Sequence, residues 1–333
     1  MTGQPRIKLG VTLYSLQDEY VWGKLTLEGC LAVLNKMGVE GVELLGDQMI
    51  HNSPFPEESF YPEWHRWLEK YRLTPVCDDI FINTTLYRNR RLTTKEAITA
   101  LKAEIVHAHK MGFKIVRLVS QTPSNIILPC LDFAEKHDMQ MALEIHAGHG
   151  TDAPYTQDFL EIMTKANSPY IGLVFDMGLF CRKYPRVIRE YYRREGAAPA
   201  LLDFVDQVFA SGTDLRSQAD KSKLEETMRA PIDEEYWEYV THFENNPIEI
   251  MTPYLKYVKN IHGKFYEMTD ENIEYSIPYD QIIALLKMNR YDGFICSEYE
   301  GNRFVPSGVE VLGVDQLTRH QQMLRGLIQG SGA

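Results

Sequence analysis

The segment from Met139 to Asp176 determines the fold prediction. It opens with the apolar run MQMALEIH (139–146) and closes with a second run, YIGLVFD (170–176). Runs of this length between polar segments are typical of buried strands. The residues between them are numerous enough to form a helix, and two strands joined through a helix pair in parallel with a right-handed crossover. The segment therefore predicts a βαβ unit.

The same alternation of short apolar runs and amphipathic stretches extends over the chain. It predicts eight strands, at Ile7–Tyr14, Val39–Leu45, Leu73–Ile80, Lys114–Ser120, Met139–His146, Tyr170–Asp176, Tyr257–His262 and Phe294–Glu298. A helix is predicted from Leu25 to Met37, and another begins at Thr93 with Glu96 as its capping partner. Eight strands that alternate with helices predict an α/β fold, a (β/α)₈ TIM barrel, for which about 250 residues is typical.

The chain has 333 residues, and the excess over such a barrel lies between the sixth and seventh predicted strands. We predict one domain over residues 1–333, with a long, mainly helical insertion at residues 182–246. The insertion begins with interleaved basic and Tyr residues and later becomes acidic. A solvated helical surface explains this pattern, and so does a lid or a subunit interface, because long loops above a barrel are commonly functional.

The amino-acid composition argues against several classes of function and cellular location. Lys plus Arg number 35 against 46 Asp plus Glu, and the net charge of −11 argues against nucleic-acid binding. The five cysteines are widely spaced and form no CxxC pair, which favours a reducing compartment. No apolar run approaches the ~18 residues of a membrane span, and the N-terminus has no secretory pattern. We therefore expect a cytoplasmic protein that binds no membrane.

Acidic or imidazole side chains stand at the ends of the last four predicted strands: Glu144, Asp176, His262 and Glu298. In a TIM barrel these ends meet at the C-terminal face, where active sites lie. Buried carboxylates that converge on one point are destabilised by desolvation and by mutual repulsion. A divalent cation removes both penalties, so the pattern predicts a metal site.

Three carboxylates and one imidazole, without thiolates, favour Mn²⁺ or Mg²⁺, with Co²⁺ as a substitute. Such a site leaves positions for two oxygens of a bound small-molecule substrate. If that substrate is a hydroxy-ketone, its C–H bond becomes acidic because the metal stabilises the enediolate. His146 lies two residues after Glu144 and therefore faces the same side of the strand. An imidazole exchanges protons near neutral pH, so we predict that His146 is the catalytic base.

These residues resemble the xylose isomerase-like TIM-barrel superfamily of sugar isomerases, epimerases and endonuclease IV-type enzymes. The resemblance covers the chain outside the insertion and rests on LEIH at Glu144, VFDMG at Asp176, NIHGK at His262 and CSEYEG at Glu298. It implies that these four residues bind a divalent metal and that the two glutamates also serve as acid and base. Lys264 matches the His-x-Lys pattern after the seventh strand, which implies a substrate-binding role.

The sixth strand departs from the family pattern. Family epimerases often carry Asp-x-x-His there, but Leu179 occupies the histidine position, and His146 and His149 instead flank Gly148 in EIHAGHG. That motif, SEYEG and the insertion are similar to the large subunits of bacterial C-glycoside deglycosidases. This narrower resemblance implies a Mn²⁺-dependent lyase that cleaves the C–C bond between a 3-oxo sugar and an aromatic aglycone. It also implies a small second subunit and thus a hetero-oligomer.

Further substrate-binding residues are predicted near strand ends: His149, Gln121, Asp79 and Arg303. Arg117 lies inside the fourth strand and needs a buried partner, for which Glu43 on the second strand is the candidate. Three aromatic residues follow strand ends, where they either stack on a ligand ring or pack in the core: Phe81, Phe180 and Phe265.

Other functions remain open at this point. A metal-dependent sugar isomerase or epimerase would use the same four predicted metal-binding residues as the lyase. A DNA-repair nuclease on the same barrel is disfavoured because it needs more metal-binding histidines and a basic groove. A non-catalytic binding module is disfavoured by the intact set of four ligands.

Overall fold

Eight parallel strands form a closed barrel in the computed structural model, which describes residues 6–212, 215, 228 and 230–330. The strands are β1 Lys8–Thr12, β2 Gly41–Leu45, β3 Thr74–Ile80, β4 Ile115–Leu118, β5 Gln140–Ile145, β6 Ile171–Asp176, β7 Val258–Phe265 and β8 Phe294–Tyr299. They pair in chain order, and β8 closes the barrel against β1. The predicted TIM barrel is confirmed, and the ends of the predicted strands differ from the observed ones by a few residues.

Helices connect the strands. They are α1 Gln17–Val21, α2 Leu27–Met37, α3 Gly46–Met49, α4 Phe60–Tyr71, α5 Thr94–Met111, α6 Ile127–Lys136, α7 Pro154–Ala166, α8 Arg186–Arg194, α9 Pro199–Ala210, α10 Pro231–Val240, α11 Tyr279–Met288 and α12 Gly313–Gln329. Short 3-10 helices occupy Leu13–Leu16, Ser124–Ile126, Met177–Leu179, Ile248–Tyr257 and Gly301–Phe304. Within the described residues, no helix combines the length and the apolar character that crossing a membrane requires.

Local sequence explains where helix α5 begins and where helices α2 and α5 end. The Thr93 hydroxyl accepts a hydrogen bond from the backbone N–H of Glu96, and the Glu96 carboxylate accepts one from the N–H of Thr93, which forms the capping box of α5. Helix α2 ends at Gly38 and α5 at Gly112, where φ is +70° and +86°. Glycine adopts this left-handed conformation at little steric cost, so it ends a helix.

Side chains alternate between the inside and the outside of the barrel along each strand. On β8, Ser297 faces outward and forms a 2.7 Å hydrogen bond with His320 of α12, so its neighbour Glu298 faces inward. On β7 the same period places Asn260 and His262 inside, where both contact Glu43 of β2. His262 and Glu298, near the C-terminal ends of their strands, are therefore directed to the barrel axis.

The segment between β6 and β7 contains α8, α9 and α10 and is attached to loops at the C-terminal face of the barrel. Arg186 of α8 donates two hydrogen bonds, of 2.6 and 2.7 Å, to Glu267 in the loop after β7. Arg194 donates one of 2.8 Å to the carbonyl of Phe304 after β8. Both contacts place the described part of residues 182–246 at the face where the strand ends meet. Parts of this predicted insertion lie outside the described residues: 213–214, 216–227 and 229.

Candidate metal centre

Four side chains from β5, β6, β7 and β8 meet inside the barrel. Glu144, Asp176, His262 and Glu298 each offer one ligand atom, and these atoms all lie within 4.8 Å of one another. The four residues are buried, with at most 7 % of their surface exposed. A single cation that lies about 2.0–2.6 Å from each ligand atom fits such a group. The structure therefore brings together the four residues that the sequence predicts as metal ligands.

The contacts inside this group require a positive charge. His262 Nδ1 lies 2.8 Å from Glu144 Oε1 and 3.3 Å from Glu298 Oε2. Neither contact has hydrogen-bond geometry. Among the described residues, His262 Nδ1, Asp176 Oδ2 and Glu298 Oε2 are buried atoms that form no hydrogen bond, although Lys264 Nζ lies 3.0 Å from the Asp176 oxygen and 3.3 Å from the Glu298 oxygen. Leaving a buried polar atom unsatisfied costs about 1–3 kcal/mol. One cation shared by these atoms removes that cost, so the residues present fit a metal ion.

Glu43 on β2 determines which nitrogen of His262 faces the carboxylates. Its Oε1 lies 2.5 Å from His262 Nε2, and its Oε2 accepts a 2.6 Å hydrogen bond from Asn260 Nδ2. A fully buried carboxylate needs hydrogen-bond donors, so the Nε2–H of His262 donates to Glu43. Burial alone would lower the pKa of His262, but the charges of Glu43, Glu298 and Glu144 raise it well above its ordinary value. A bound cation would replace the proton on Nδ1, whose lone pair would then face the cation, as a metal ligand needs.

Arg117 has a different partner from the predicted one. Its Nε donates to Asp79 Oδ1 at 3.1 Å, and its Nη1 lies 3.7 Å from Glu144 Oε2. The predicted pairing with Glu43 is wrong, because the carboxylate of Glu43 is engaged by side chains of β7. Burial by itself would lower the pKa of Arg117, but the charges of Asp79 and Glu144 raise it well above its ordinary value. The guanidinium is therefore charged and neutralises part of the surrounding negative charge.

Negative charge is in excess in this part of the barrel. Among the described residues here, the buried carboxylates are Glu43, Asp79, Glu144, Asp176 and Glu298. The buried cations are Arg117 and Lys264, together with His262, whose pKa the carboxylates raise. Burial raises the pKa of Asp176 to about 6, and repulsion from Glu298 adds to this although Lys264 opposes it. Burial would also raise the pKa of Glu298, but Lys264 and His262 outweigh it and lower that pKa to about 2. A divalent cation would reduce the excess charge.

A second group of ligand-type side chains lies beside the first. Glu43, Cys77 and Asp79 also have atoms within 4.8 Å of one another. Two of them are already engaged, since Glu43 contacts β7 and Asp79 accepts a hydrogen bond from Arg117. Burial raises the pKa of the Cys77 thiol well above its ordinary value, so the sulfur stays protonated and is a poor ligand. The first group is therefore the better candidate for a metal centre.

The metal-ligand group lies at the base of a cavity of about 470 Å³. This volume is within the range of about 300–1,000 Å³ that is typical of small-molecule sites. The predicted site residues that line the cavity are Glu144, His146, His149, Asp176, Lys264, Glu298 and Arg303. A wider cavity of about 710 Å³ lies near Tyr275 and Met323, but no group of metal-type ligands from the described residues lies there.

His146 lines the cavity directly after β5. Its Nδ1 lies 2.7 Å from the carbonyl oxygen of Ala147, to which only an N–H can donate. The neutral ring therefore carries its proton on Nδ1, and Nε2 has the lone pair. The ring of His149 packs against that of His146 with centroids 4.9 Å apart, and Gln121 Nε2 lies 3.0 Å from His149 Nε2. Gln121 is not among the described residues that line the cavity, and its contact with the site is through His149.

Lys264 provides a fixed positive charge at the cavity wall. Its Nζ lies 3.0 Å from Asp176 Oδ2, 3.3 Å from Glu298 Oε2 and 2.8 Å from Glu300 Oε2. Arg303 donates to the other oxygen of Glu300 at 3.0 Å. Burial alone would lower the pKa of Lys264, but the three carboxylates raise it well above its ordinary value. The ammonium group is therefore charged and neutralises part of the negative charge at the cavity wall.

Asp79 is not among the described residues that line the cavity. It lies within β3 rather than after it, and its carboxylate is paired with Arg117. The preceding residue, Asp78, is also buried, and burial together with the charge of Glu104 on α5 raises its pKa well above the ordinary value. The two neighbouring aspartates therefore face opposite sides of the strand, as the alternation of side chains requires.

The aromatic side chains at the cavity are not the predicted ones. Phe180 and Phe265 are fully buried in the core, and Phe81 is exposed. The aromatic and imidazole rings that the sequence analysis missed are Tyr14, Tyr239, His242, Phe243 and Tyr266. Three of them belong to the predicted insertion. Its residue pattern contains aromatic side chains, but no periodicity specifies where a long connection folds back.

Comparisons with known proteins give matches over most of the chain. A family model described as a xylose isomerase-like TIM barrel matches residues 31–325. The chain is 25 % identical over 315 residues to the 3'-dehydrocarminate deglycosidase alpha subunit of a Microbacterium species, with 90 % of each chain covered. It is 24 % identical over 343 aligned positions to a C-glycoside deglycosidase alpha subunit of Arthrobacter globiformis, with 97 % of this chain and 93 % of the relative covered.

Solved structures share the fold at much lower sequence identity. A sugar phosphate isomerase/epimerase from Parabacteroides distasonis superposes with a TM-score of 0.57 and 12 % identity. The superposition covers 98 % of this chain and 97 % of that one. At this identity the likeness concerns the fold alone.

Substitution of Glu43 tests the arrangement around His262. A glutamine has one acceptor oxygen, so Glu43→Gln can satisfy either His262 or Asn260 but not both. We expect the dissociation constant for Mn²⁺, measured by isothermal titration calorimetry, to rise by about 10-fold to 100-fold, as for other supporting partners of metal ligands. Cys77→Ser, a buried substitution in the same part of the barrel, is the control. An unchanged Mn²⁺ affinity in Glu43→Gln would contradict the role of Glu43.

Proposed function

The chain belongs to the xylose isomerase-like TIM-barrel family, and on that premise we propose that it is a metal-dependent lyase that releases an aromatic aglycone from a 3-oxo C-glycoside. The observation that carries this proposal is the buried group of three carboxylates and one imidazole at the base of the cavity. The two deglycosidase alpha subunits that match nine-tenths or more of the chain support both an enzymatic role and the substrate class.

We assign the metal-ligand role to the carboxylates of Glu144, Asp176 and Glu298 and to Nδ1 of His262. Mn²⁺ is the expected ion because oxygen donors dominate the group, with Mg²⁺ and Co²⁺ as alternatives. When bound, a divalent cation supplies Lewis-acid stabilisation of the negative charge that develops on the substrate oxygens. Lys264 adds a positive charge beside two of these ligands, and Glu43 keeps the imidazole in the required tautomer.

His146 begins the reaction as the general base. Its Nε2 takes the proton from C2 of the sugar, which is acidic because C3 is a carbonyl carbon. The electron pair of the C2–H bond forms the C1=C2 double bond, and the bond between C1 and the aromatic carbon breaks. The aromatic carbon takes up one proton, so the products are the aglycone and a 3-oxo-1,2-unsaturated sugar. One proton is removed and one is delivered, and the balanced step consumes no water and no oxidant.

A sugar isomerase or ketose 3-epimerase is the second candidate. Glu144 and Glu298 approach His262 Nδ1 from two different strands, at 2.8 and 3.3 Å. Two carboxylates at one centre suit the removal of a proton from a sugar carbon by one group and its return by the other. The two candidate reactions differ in the fate of the bond at C1, which an assay of products separates.

We also propose that the chain assembles with a smaller, different subunit in the cytoplasm. The relatives named alpha subunits support a hetero-oligomer. The segment at residues 182–246 acts as a lid in this proposal, because Tyr239, His242 and Phe243 line the cavity. The net charge of −11 makes nucleic acid an unfavourable partner.

Neutral substitutions of the glutamates test the ligand assignment. We expect Glu144→Gln and Glu298→Gln to lower the Mn²⁺ content per chain and to abolish turnover, because an amide replaces a charged oxygen donor. Elemental analysis after dialysis against Mn²⁺ measures the first effect, and chelation of the unaltered protein with EDTA provides an independent loss of activity. Glu161→Gln, on the exposed face of α7, is the control. Full metal occupancy with full activity in both variants would refute the assignment.

Removal of the His146 imidazole tests whether His146 is the general base. We expect His146→Ala to keep its Mn²⁺ and to lose about 10²-fold to 10⁴-fold in kcat, because general-base catalysis contributes a factor of that size. His51→Ala, at an exposed position, controls for the loss of an imidazole. Metal content and steady-state kinetics are measured on the same samples. Unchanged kinetics in His146→Ala would remove this residue from the mechanism.

Product analysis decides between the lyase and the isomerase or epimerase. The protein is purified under native conditions with any chain that co-purifies, and is incubated with aromatic 3-oxo C-glucosides and, separately, with free ketoses. We expect release of the free aglycone, detected by chromatography and mass spectrometry. Interconversion of C3 epimers without aglycone release would instead establish the epimerase.

A further inference from the structure

Two kinds of side chain line the cavity. The polar and charged ones include the carboxylates of the metal-ligand group, Lys264 and His146. The aromatic ones are Tyr14, Tyr239, Phe243 and Tyr266. We call these four rings the aromatic wall. A ligand that has a polar half and a flat apolar half would match this division.

Three rings of the aromatic wall, those of Tyr239, Phe243 and Tyr266, form contacts with one another through Phe243. The centroid of Phe243 lies 5.7 Å from that of Tyr239 and 5.6 Å from that of Tyr266. Behind them, Tyr184 packs edge-to-face on Phe243 at 5.1 Å, and Phe304 packs edge-to-face on Tyr239 at 5.7 Å. Rings packed in this way have few alternative rotamers, so the wall is pre-organised for a flat partner.

Three members of the aromatic wall, Tyr14, Tyr239 and Tyr266, also carry a phenolic hydrogen-bond donor. Burial raises the pKa of Tyr14 to about 12 and also raises the pKa of Tyr239, and the charge of Glu300 adds to both shifts. Both phenols therefore remain protonated at neutral pH. A phenolic O–H at the edge of an apolar surface is suited to the oxygen substituents of an aromatic ligand.

The segment between β6 and β7 supplies the two central rings. Tyr239 lies in the last turn of α10, and Phe243 follows the end of that helix. Not every aromatic residue of α10 faces the cavity, since the Trp237 ring lies 6.4 Å from Phe204 of α9. The helix therefore presents Tyr239 to the cavity and Trp237 to a neighbouring helix, which provides a matched pair of positions for an experiment.

We propose that Tyr239 and Phe243 form the binding surface for the aromatic aglycone and thereby select aryl-substituted sugars. This inference rests on the proposed lyase function and extends it by assigning the aglycone half of the cavity. Aromatic pairs at centroid distances of about 4.5–7 Å contribute roughly 0.5–1.5 kcal/mol beyond the area that they bury. The polar sugar then lies near His146 and the metal-ligand group, which line the same cavity.

Binding measurements with two separate probes test the proposal without turnover. One probe is a free flavone, and the other is methyl 3-oxo-glucoside, which lacks an aryl group. For Tyr239→Ala and for Phe243→Ala we expect the dissociation constant of the flavone to rise about threefold to tenfold. The dissociation constant of methyl 3-oxo-glucoside and the Mn²⁺ content are expected to be unchanged. Trp237→Ala is the control and is expected to bind both probes like the unaltered protein.

Variants that conserve volume guard against loss of folding. Phe243 is 8 % exposed and packs on Tyr184, so Phe243→Leu keeps most of the packing while it removes the ring. It is expected to weaken flavone binding, whereas Tyr239→Phe keeps the ring and is expected to retain most of the affinity. Unchanged flavone affinity in Phe243→Leu and Tyr239→Ala, or an equal loss in Trp237→Ala, would overturn the proposal, as would an unaltered protein that binds no flavone.

Failure of this inference can be distinguished from failure of the proposed lyase function. A protein that binds the flavone through Tyr239 and Phe243 but cleaves no C-glycoside would refute the lyase reaction and support the aromatic binding surface. A protein that cleaves C-glycosides with unchanged flavone affinity in these variants would support the lyase and overturn the assignment of the surface.

Discussion

The contact between Glu43 and His262 is the interaction on which the candidate site depends. It crosses the barrel from β2 to β7, and both side chains are fully buried. Glu43 accepts the Nε2–H, so Nδ1 is the nitrogen that faces Glu144 and Glu298. The carboxylates around the ring raise the pKa of His262 well above its ordinary value, and the same concentration of negative charge makes the group suited to a metal cation that would replace the proton on Nδ1.

Barrel closure produces this concentration of charge, and the remaining contacts limit its cost. Side chains that point inward near the C-terminal strand ends are brought together whatever their separation in sequence. Arg117 pairs with Asp79, and Lys264 lies beside Asp176, so part of the negative charge is neutralised by fixed cations. Apolar side chains also pack in the barrel, in a cluster formed by Val76, Cys77, Ile115, Ala142, Val174 and Cys296. Charge and apolar packing thus occupy the same small barrel.

The segment between β6 and β7 adds a second kind of surface to the same cavity. It is attached to the loops after β7 and β8 through Arg186 and Arg194 of α8, and Tyr239 of its last helix packs on Phe304 after β8. The barrel and its loops provide the carboxylates and the ammonium group, and the connection adds Tyr239, His242 and Phe243. A lyase acting on an aromatic C-glycoside needs both, because the reaction occurs at the carbon that joins the polar sugar to the flat aglycone.

The sequence by itself determined the eight strands and the four residues near the ends of the last four strands, because strand periodicity and strand ends are local properties. From these it also predicted the convergence of Glu144, Asp176, His262 and Glu298. Only the tertiary structure decided that Glu43 pairs with His262, which lies 219 positions away, rather than with Arg117. Only the tertiary structure placed Tyr239 and Phe243 at the cavity, too. Partners across a barrel and the path of a long connection depend on closure and packing between distant segments, which no local pattern encodes.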